Sequence, residues 1–177
     1  MDFHIIPECY VDTNLLETIV PPIGRGYNHQ KGCPNVAKTM LNHALLREGF
    51  AVGVIDKDKK EVDYAQFFVE IADKGQLKLL KHPQKHHYFI VIVPAMEKWI
   101  LNNAEEVGVD LNNFDLSNDL NQLRKMSKKM TTKQDIRFKK LFKELMLKEA
   151  SGIIILQNWI SYLIEKNFAV EIDYFKN

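Results

Sequence analysis

The chain has 177 residues, 46% of them hydrophobic and 27% charged, with a formal net charge of +1. Such a chain builds one good core and is short for two, and its composition is neither that of a disordered nor of a fibrous protein. The near-neutral balance singles out no partner, the longest apolar runs are far too short to span a bilayer, and no secretory leader is evident; a cytoplasmic protein that avoids membranes is expected. Cys9 and Cys33 stand in no metal-ligand spacing, which agrees with a reducing compartment.

Taken in order, Phe3, His4, Ile5 and Ile6 form a short apolar segment stopped by Pro7 and followed at once by Glu8, read as a first strand. Asp12 or Thr13 can cap a helix with Leu15, Leu16 and Ile19 on one face, ended by Pro21 and Pro22. Residues 24–32 hold Gly24, Gly26 and Gly32 with Arg25, His29 and Lys31 and read as a loop, a surface connection rather than a phosphate-binding fingerprint. Pro34 suits the first turn of a helix carrying Val36, Met40, Leu41, Ala44 and Leu45, closed by Gly49. The stretch 51–61, AVGVIDKDKKE, then reads as a strand buried on both faces that runs into Asp56, Lys57, Asp58, Lys59 and Lys60.

Over residues 63–72 the stripe Tyr64, Phe67, Phe68 and Ile71 predicts a helix, and Leu77, Leu79 and Leu80 a short strand or turn. His82, His86 and His87 precede the β-forming run 88–93; without an accompanying cysteine or a shared helix face they read as a solvated loop rather than a zinc site. Pro94 opens a helix with Met96, Trp99 and Ile100 inward, after which 105–119 is acidic loop. Thr132 and Asp135 have capping-box spacing ahead of an amphipathic helix through Phe138, Leu141, Phe142 and Leu145. Ser151 begins another through Ile153, Leu156, Trp159, Ile160 and Leu163, and residues 169–174 suggest a last edge strand.

Alternation of this kind favours an α/β fold with a mainly parallel, Rossmann-like sheet flanked by helices: a core over residues 1–105 and a mostly helical extension over 106–177. Ligands bind such sheets outside the carboxyl ends of the strands. If the first strand and the 51–56 strand are parallel neighbours, Glu8, Asp56 and Asp58 emerge on one edge, and Glu97, just past the next strand, can join them. Carboxylates so crowded repel one another unless a divalent cation such as Mg2+ or Mn2+ neutralises them. Charge is also uneven along the chain: residues 124–148 hold ten Lys or Arg against Asp135 and Glu144. Arg124, Lys125, Lys128, Lys129, Lys133 and Arg137 there suit nucleic-acid phosphates, or a solvated helix face, and Lys57 and Lys59 beside the acids can do the same.

A glutamate closing the first strand, Asp12 four positions on, and a central strand ending in Asp56-Lys57-Asp58 together resemble the Toprim domain. Residues 94–101, with Pro94, Glu97, Trp99 and Leu101, resemble a pattern that follows the third strand in small stand-alone Toprim-like proteins of bacteria. The likeness covers roughly residues 1–105. It departs where Toprim domains place glycine after the glutamate, since Cys9 stands there. The resemblance implies a Mg2+-dependent nuclease cleaving DNA or RNA phosphodiesters, with Glu8 as catalytic glutamate, Asp56 and Asp58 as the metal-holding pair, a defence or repair setting, and a partner ATPase. Two other readings stay open. Residues 10–16, YVDTNLL, resemble the opening of PIN-domain ribonucleases, with Asp12 as first metal ligand; and a degenerate Toprim-like core can serve as a non-catalytic module binding nucleic acid or protein.

Overall fold

The computed structural model describes residues 2–57 and 63–176. Its centre is a five-stranded sheet in the order β1-β2-β5-β4-β3, from β1 (Ile5–Pro7), β2 (Ala51–Asp56), β3 (Val69–Asp73), β4 (Leu77–Lys81) and β5 (His87–Ile92). β1, β2 and β5 run parallel, whereas β4 pairs antiparallel with both β5 and β3. The sheet is therefore mixed rather than mainly parallel. The cause is local: Lys74 and Gly75, the latter at φ +69, turn the chain back on itself within a few residues, and only an antiparallel partner can follow so short a turn.

Alternation along β2 and β5 divides the core into two layers. Val52, Val54, Tyr88, Ile90 and Ile92 face one side, and Ala51, Ile55, Phe89 and Val91 face the other, as a period of two requires. The first face packs against α1 (Tyr10–Ile19), α3 (Met96–Glu106), α5 (Ile136–Leu147) and α6 (Ser151–Lys166), so helices beyond residue 105 share one hydrophobic cluster with the sheet. The second face is covered by α2 (Cys33–Asn42) through Val36, Ala37 and Met40, with Tyr64 beside them. At Gly53 the second layer crowds the backbone: a Cβ there would lie 2.6 Å from Phe89 and 2.8 Å from Val36. None of the helices among the described residues is long and apolar enough to cross a membrane.

Three expectations are corrected. The 63–72 stripe is not a helix but a 3-10 turn, Asp63–Phe67, followed by β3. Only Tyr64 of the turn is buried, and the β-branched Val69 and Ile71 suit a strand that pairs with β4, in which Ala72 is the buried residue. Residues 169–174 form no edge strand; 3-10 turns at Asn167–Ala169 and Ile172–Lys176 fold Phe175 onto Trp159 and Tyr162. His87 does not sit in a solvated loop. It is fully buried at the start of β5, where Tyr64 Oη lies 2.7 Å from Nδ1 and the Leu46 carbonyl 2.8 Å from Nε2. A carbonyl only accepts, so Nε2 carries the proton and Nδ1 accepts from the tyrosine, a neutral histidine satisfied at both nitrogens.

Candidate functional site

The carboxyl ends of β1 and β2 lie side by side because Pro7 pairs with Val54 in parallel register. Glu8 follows β1 directly, donates its backbone N–H to the Val54 carbonyl, and its Oε2 accepts the backbone N–H of Asp56 at 3.0 Å. Asp56, the last residue of β2, in turn accepts the Met96 N–H on Oδ1 at 3.0 Å and so helps to cap α3. That cap fixes the start of α3 against the strand end and places Glu97, mostly buried, one residue further. Glu97 accepts a hydrogen bond from Ser127 Oγ at the end of α4 (Leu120–Ser127). Arg124 and Lys128 bracket Ser127 on that helix and its cap.

Asp12 completes the acidic group from the side of α1. Cys9 caps that helix, its thiol donating to Asp12 Oδ1 at 2.8 Å and its backbone N–H to Oδ2 at 3.1 Å. Thus Cys9, standing where the resemblance wants glycine, is the N-cap of α1, and the cap falls upstream of the expected Asp12 or Thr13. Glu8, Asp56, Glu97 and Cys9 share a cavity of about 650 Å³ with Tyr10, His29, Lys31, Lys57, Arg124 and Lys128.

The electrostatics follow from burial and crowding. Burial foremost, then the charges of Asp12, Glu8 and Glu97, push the Asp56 carboxyl up to about 9. Burial likewise raises Asp12 to about 7, with Glu8 and Glu97 adding to the rise and the Cys9 hydrogen bonds opposing it. The Cys9 thiol is pushed well up by burial and by Asp12. Near neutral pH, then, the group holds protons that ordinary carboxyls would have lost.

Of the residues singled out from sequence, Glu8 and Asp56 are in direct contact, and Glu97, Lys57, Arg124 and Lys128 line the same cavity. Asp58 and Lys59 lie outside the described residues. Lys125 and Lys129 are exposed nearby, Lys133 approaches Glu17 at 4.0 Å, and Arg137 is engaged by Asp135 at 2.7 Å and by the Asp115 carbonyl. His29 and Lys31, read as parts of a surface connection, reach the cavity because their loop is laced to the strand end: Gln30 donates to the Pro7 carbonyl and Gly32 to the Glu8 carbonyl. Sequence reasoning missed Ser127, whose serine signals nothing until α3 and α4 pack.

The donor set can be tested against a hard cation. Among the described residues no three His, Cys, Asp or Glu side chains are disposed as one ready coordination group. Mg2+ needs less: it takes one or two carboxylates and completes its octahedron with water. Glu8 and Asp56, adjacent and under mutual repulsion, answer that requirement. Comparison with protein-family models, curated proteins and solved structures yields no match for this chain.

Proposed function

We propose that the chain is a Mg2+- or Mn2+-dependent nuclease of Toprim-like type that cleaves phosphodiester bonds of DNA or RNA. The observation that supports it most is the meeting of Glu8, Asp56 and Glu97 at the carboxyl ends of parallel strands, inside a cavity rimmed by Lys31, Lys57, Arg124 and Lys128. Acids alone would repel a polyanion; acids beneath a basic rim suit a cation that is shared with phosphate. Glu8 and Asp56 are the residues that would hold the ion. Bound there, it would polarise the phosphate and lower the pKa of a coordinated water. The chain's own part is positional: the Asp56 amide fixes Glu8, the Met96 amide fixes Asp56, and Ser127 fixes Glu97. Lys57, Arg124 and Lys128 would take backbone phosphates, with Lys125 and Lys129 extending the track. A partner ATPase belongs to this reading by resemblance alone.

Asp12 supports the PIN-like alternative poorly, since both its oxygens already accept from Cys9. The non-catalytic module draws support from the structural work of the same carboxylates, Asp56 capping α3 and Glu97 tying α3 to α4. One experiment separates the readings. Labelled single-stranded DNA, duplex DNA and RNA are incubated with Mg2+ or Mn2+ and the native chain, Glu8→Gln or Asp56→Asn, and thermal melts are recorded with and without the ions. Metal-dependent cleavage lost in both folded variants, with a metal-induced rise in the native Tm, is expected. Cleavage that survives both substitutions sinks the nuclease reading, and a Tm indifferent to the ions favours the binding module.

A further inference from the structure

His29 carries an observation that the metal-based reading does not use. Its Nδ1 lies 3.0 Å from Thr13 Oγ1, and that hydroxyl lies 2.7 Å from the Cys9 carbonyl. The carbonyl can only accept, so the threonine proton points to it and Thr13 presents its lone pairs to the histidine. Nδ1 must then be the protonated nitrogen. The opposite nitrogen, Nε2, is left as a bare lone pair, and it is a buried atom with no hydrogen-bond partner. The ring is held face-on by Tyr10, with centroids 4.5 Å apart, and lines the acidic cavity. Burial and the charge of Lys133 favour the neutral ring, against a smaller pull from the Cys9 carbonyl. The titratable neighbours are thus Tyr10 and Cys9 from α1 and its cap, and Lys133 from the 3-10 turn Met130–Gln134.

Unpartnered buried acceptors are uncommon in folded proteins, and one on a side chain that lines a cavity calls for a donor. A histidine whose far nitrogen is fixed by a hydroxyl is the arrangement by which an imidazole is kept in the tautomer needed to receive a proton. We propose that His29, through Nε2, is the hydrogen-bond and proton acceptor for the ligand of this cavity, taking the proton of the water that attacks a phosphodiester. The proposal rests on the phosphodiester reading above. The step balances: one water proton moves to Nε2, the freed electron pair forms the new O–P bond, and the ester O–P bond breaks. The departing oxygen takes a proton from bulk water, and the imidazolium returns its own to solvent. Thr13 acts through His29 and is a positioning residue.

The test has two arms. In the native protein, nitrogen-15 NMR of the histidine side chains is expected to show His29 protonated at Nδ1 and bare at Nε2, and to show the Nε2 resonance moving when inorganic phosphate and Mg2+ are added together. A proton on Nε2 in the free protein, or a resonance unmoved at saturating phosphate and Mg2+, overturns the proposal, and this arm needs no variant. In the second arm His29→Asn places an amide donor where Nδ1–H stood and deletes Nε2. Cleavage is expected to fall about 100- to 10,000-fold, with the acidic limb of the pH–rate profile removed and metal-induced stabilisation retained. Cleavage within twofold of native overturns the proposal. A native chain that cleaves no phosphodiester overturns the nuclease reading instead, and the NMR arm then decides His29 by itself.

Discussion

Removing the ionisable group of Asp56 is expected to stabilise the metal-free protein, and to do so only above acidic pH. The carboxyl is raised to about 9 in the folded chain, from an ordinary value of 3.8. Below pH 4 both folded and unfolded chains hold the proton, so burial there is free of this penalty. Between pH 4 and 9 the unfolded chain releases the proton while the folded chain retains it. The folded state thus binds more protons, and stability falls as pH rises through that window, reaching its full loss above 9. At pH 7, about three pH units above the unfolded value and at about 1.4 kcal/mol each, the penalty is on the order of 4 kcal/mol. Asp56→Asn keeps an oxygen for the Met96 N–H, so the cap of α3 survives while the titration disappears. In a chain of this size the gain corresponds to roughly 10 °C in Tm at pH 7 and almost none at pH 4. Differential scanning calorimetry of both proteins in chelator at pH 4, 5.5, 7 and 8.5 measures it directly. A difference in Tm that is the same at every pH, or a variant less stable at pH 8.5, would refute the argument from crowded carboxylates. Saturating Mg2+ should shrink the gap, since an ion bound only to the native folded protein at about 100 times its Kd adds about 2.7 kcal/mol.

Gly53→Ala should destabilise the chain by about 1–3 kcal/mol in urea unfolding, because the added Cβ meets Phe89 at 2.6 Å and Val36 at 2.8 Å in the packed layer between the sheet and α2. Tyr64→Phe should cost about 1–3 kcal/mol by the same assay, leaving His87 Nδ1 buried without its donor. Arg124→Ala with Lys128→Ala should weaken oligonucleotide binding without lowering Tm, and should reduce the slope of log K against log salt by about 1.4–1.8, as expected for two lost phosphate contacts; an unchanged slope would place the nucleic acid elsewhere.

Much of the parallel half of the sheet is legible in sequence because its strands are buried on both faces. AVGVI in β2 and the apolar run of β5 leave the chain no amphipathic alternative, and Pro7 and Asp56 mark where their neighbours end. The antiparallel half is not legible, since Tyr64, Phe67, Phe68 and Ile71 fall at helical spacing while the β-branched Val69 and Ile71 favour a strand. Pairing with β4, available only in the folded chain, decides for the strand. The same holds for His87, which looks polar in a histidine-rich tract but is buried because Tyr64 and Leu46 satisfy both its nitrogens.

The candidate site divides along the same line. Glu8 and Asp56 are readable as strand ends, and parallel pairing carries them together with no further information. Its rim depends on hydrogen bonds between distant segments. Asn14 on α1 donates to the Thr132 and Asp135 carbonyls, Thr132 Oγ1 to the Met126 carbonyl, and Ser127 to Glu97. The Asn14 and Ser127 bonds pin the turn after α4 and α4 itself against α1 and α3, and the Thr132 bond holds that turn to α4. The result is that Arg124 and Lys128 face the acids, whereas Arg137, only a few residues on, is turned to Asp135 and the Asp115 carbonyl. A basic stretch of uniform appearance in sequence is thus sorted by packing into rim and surface. Charge count alone could not have sorted it, because the sorting agents are uncharged side chains, Asn14, Ser127 and Thr132, each buried and each bonded across more than one element.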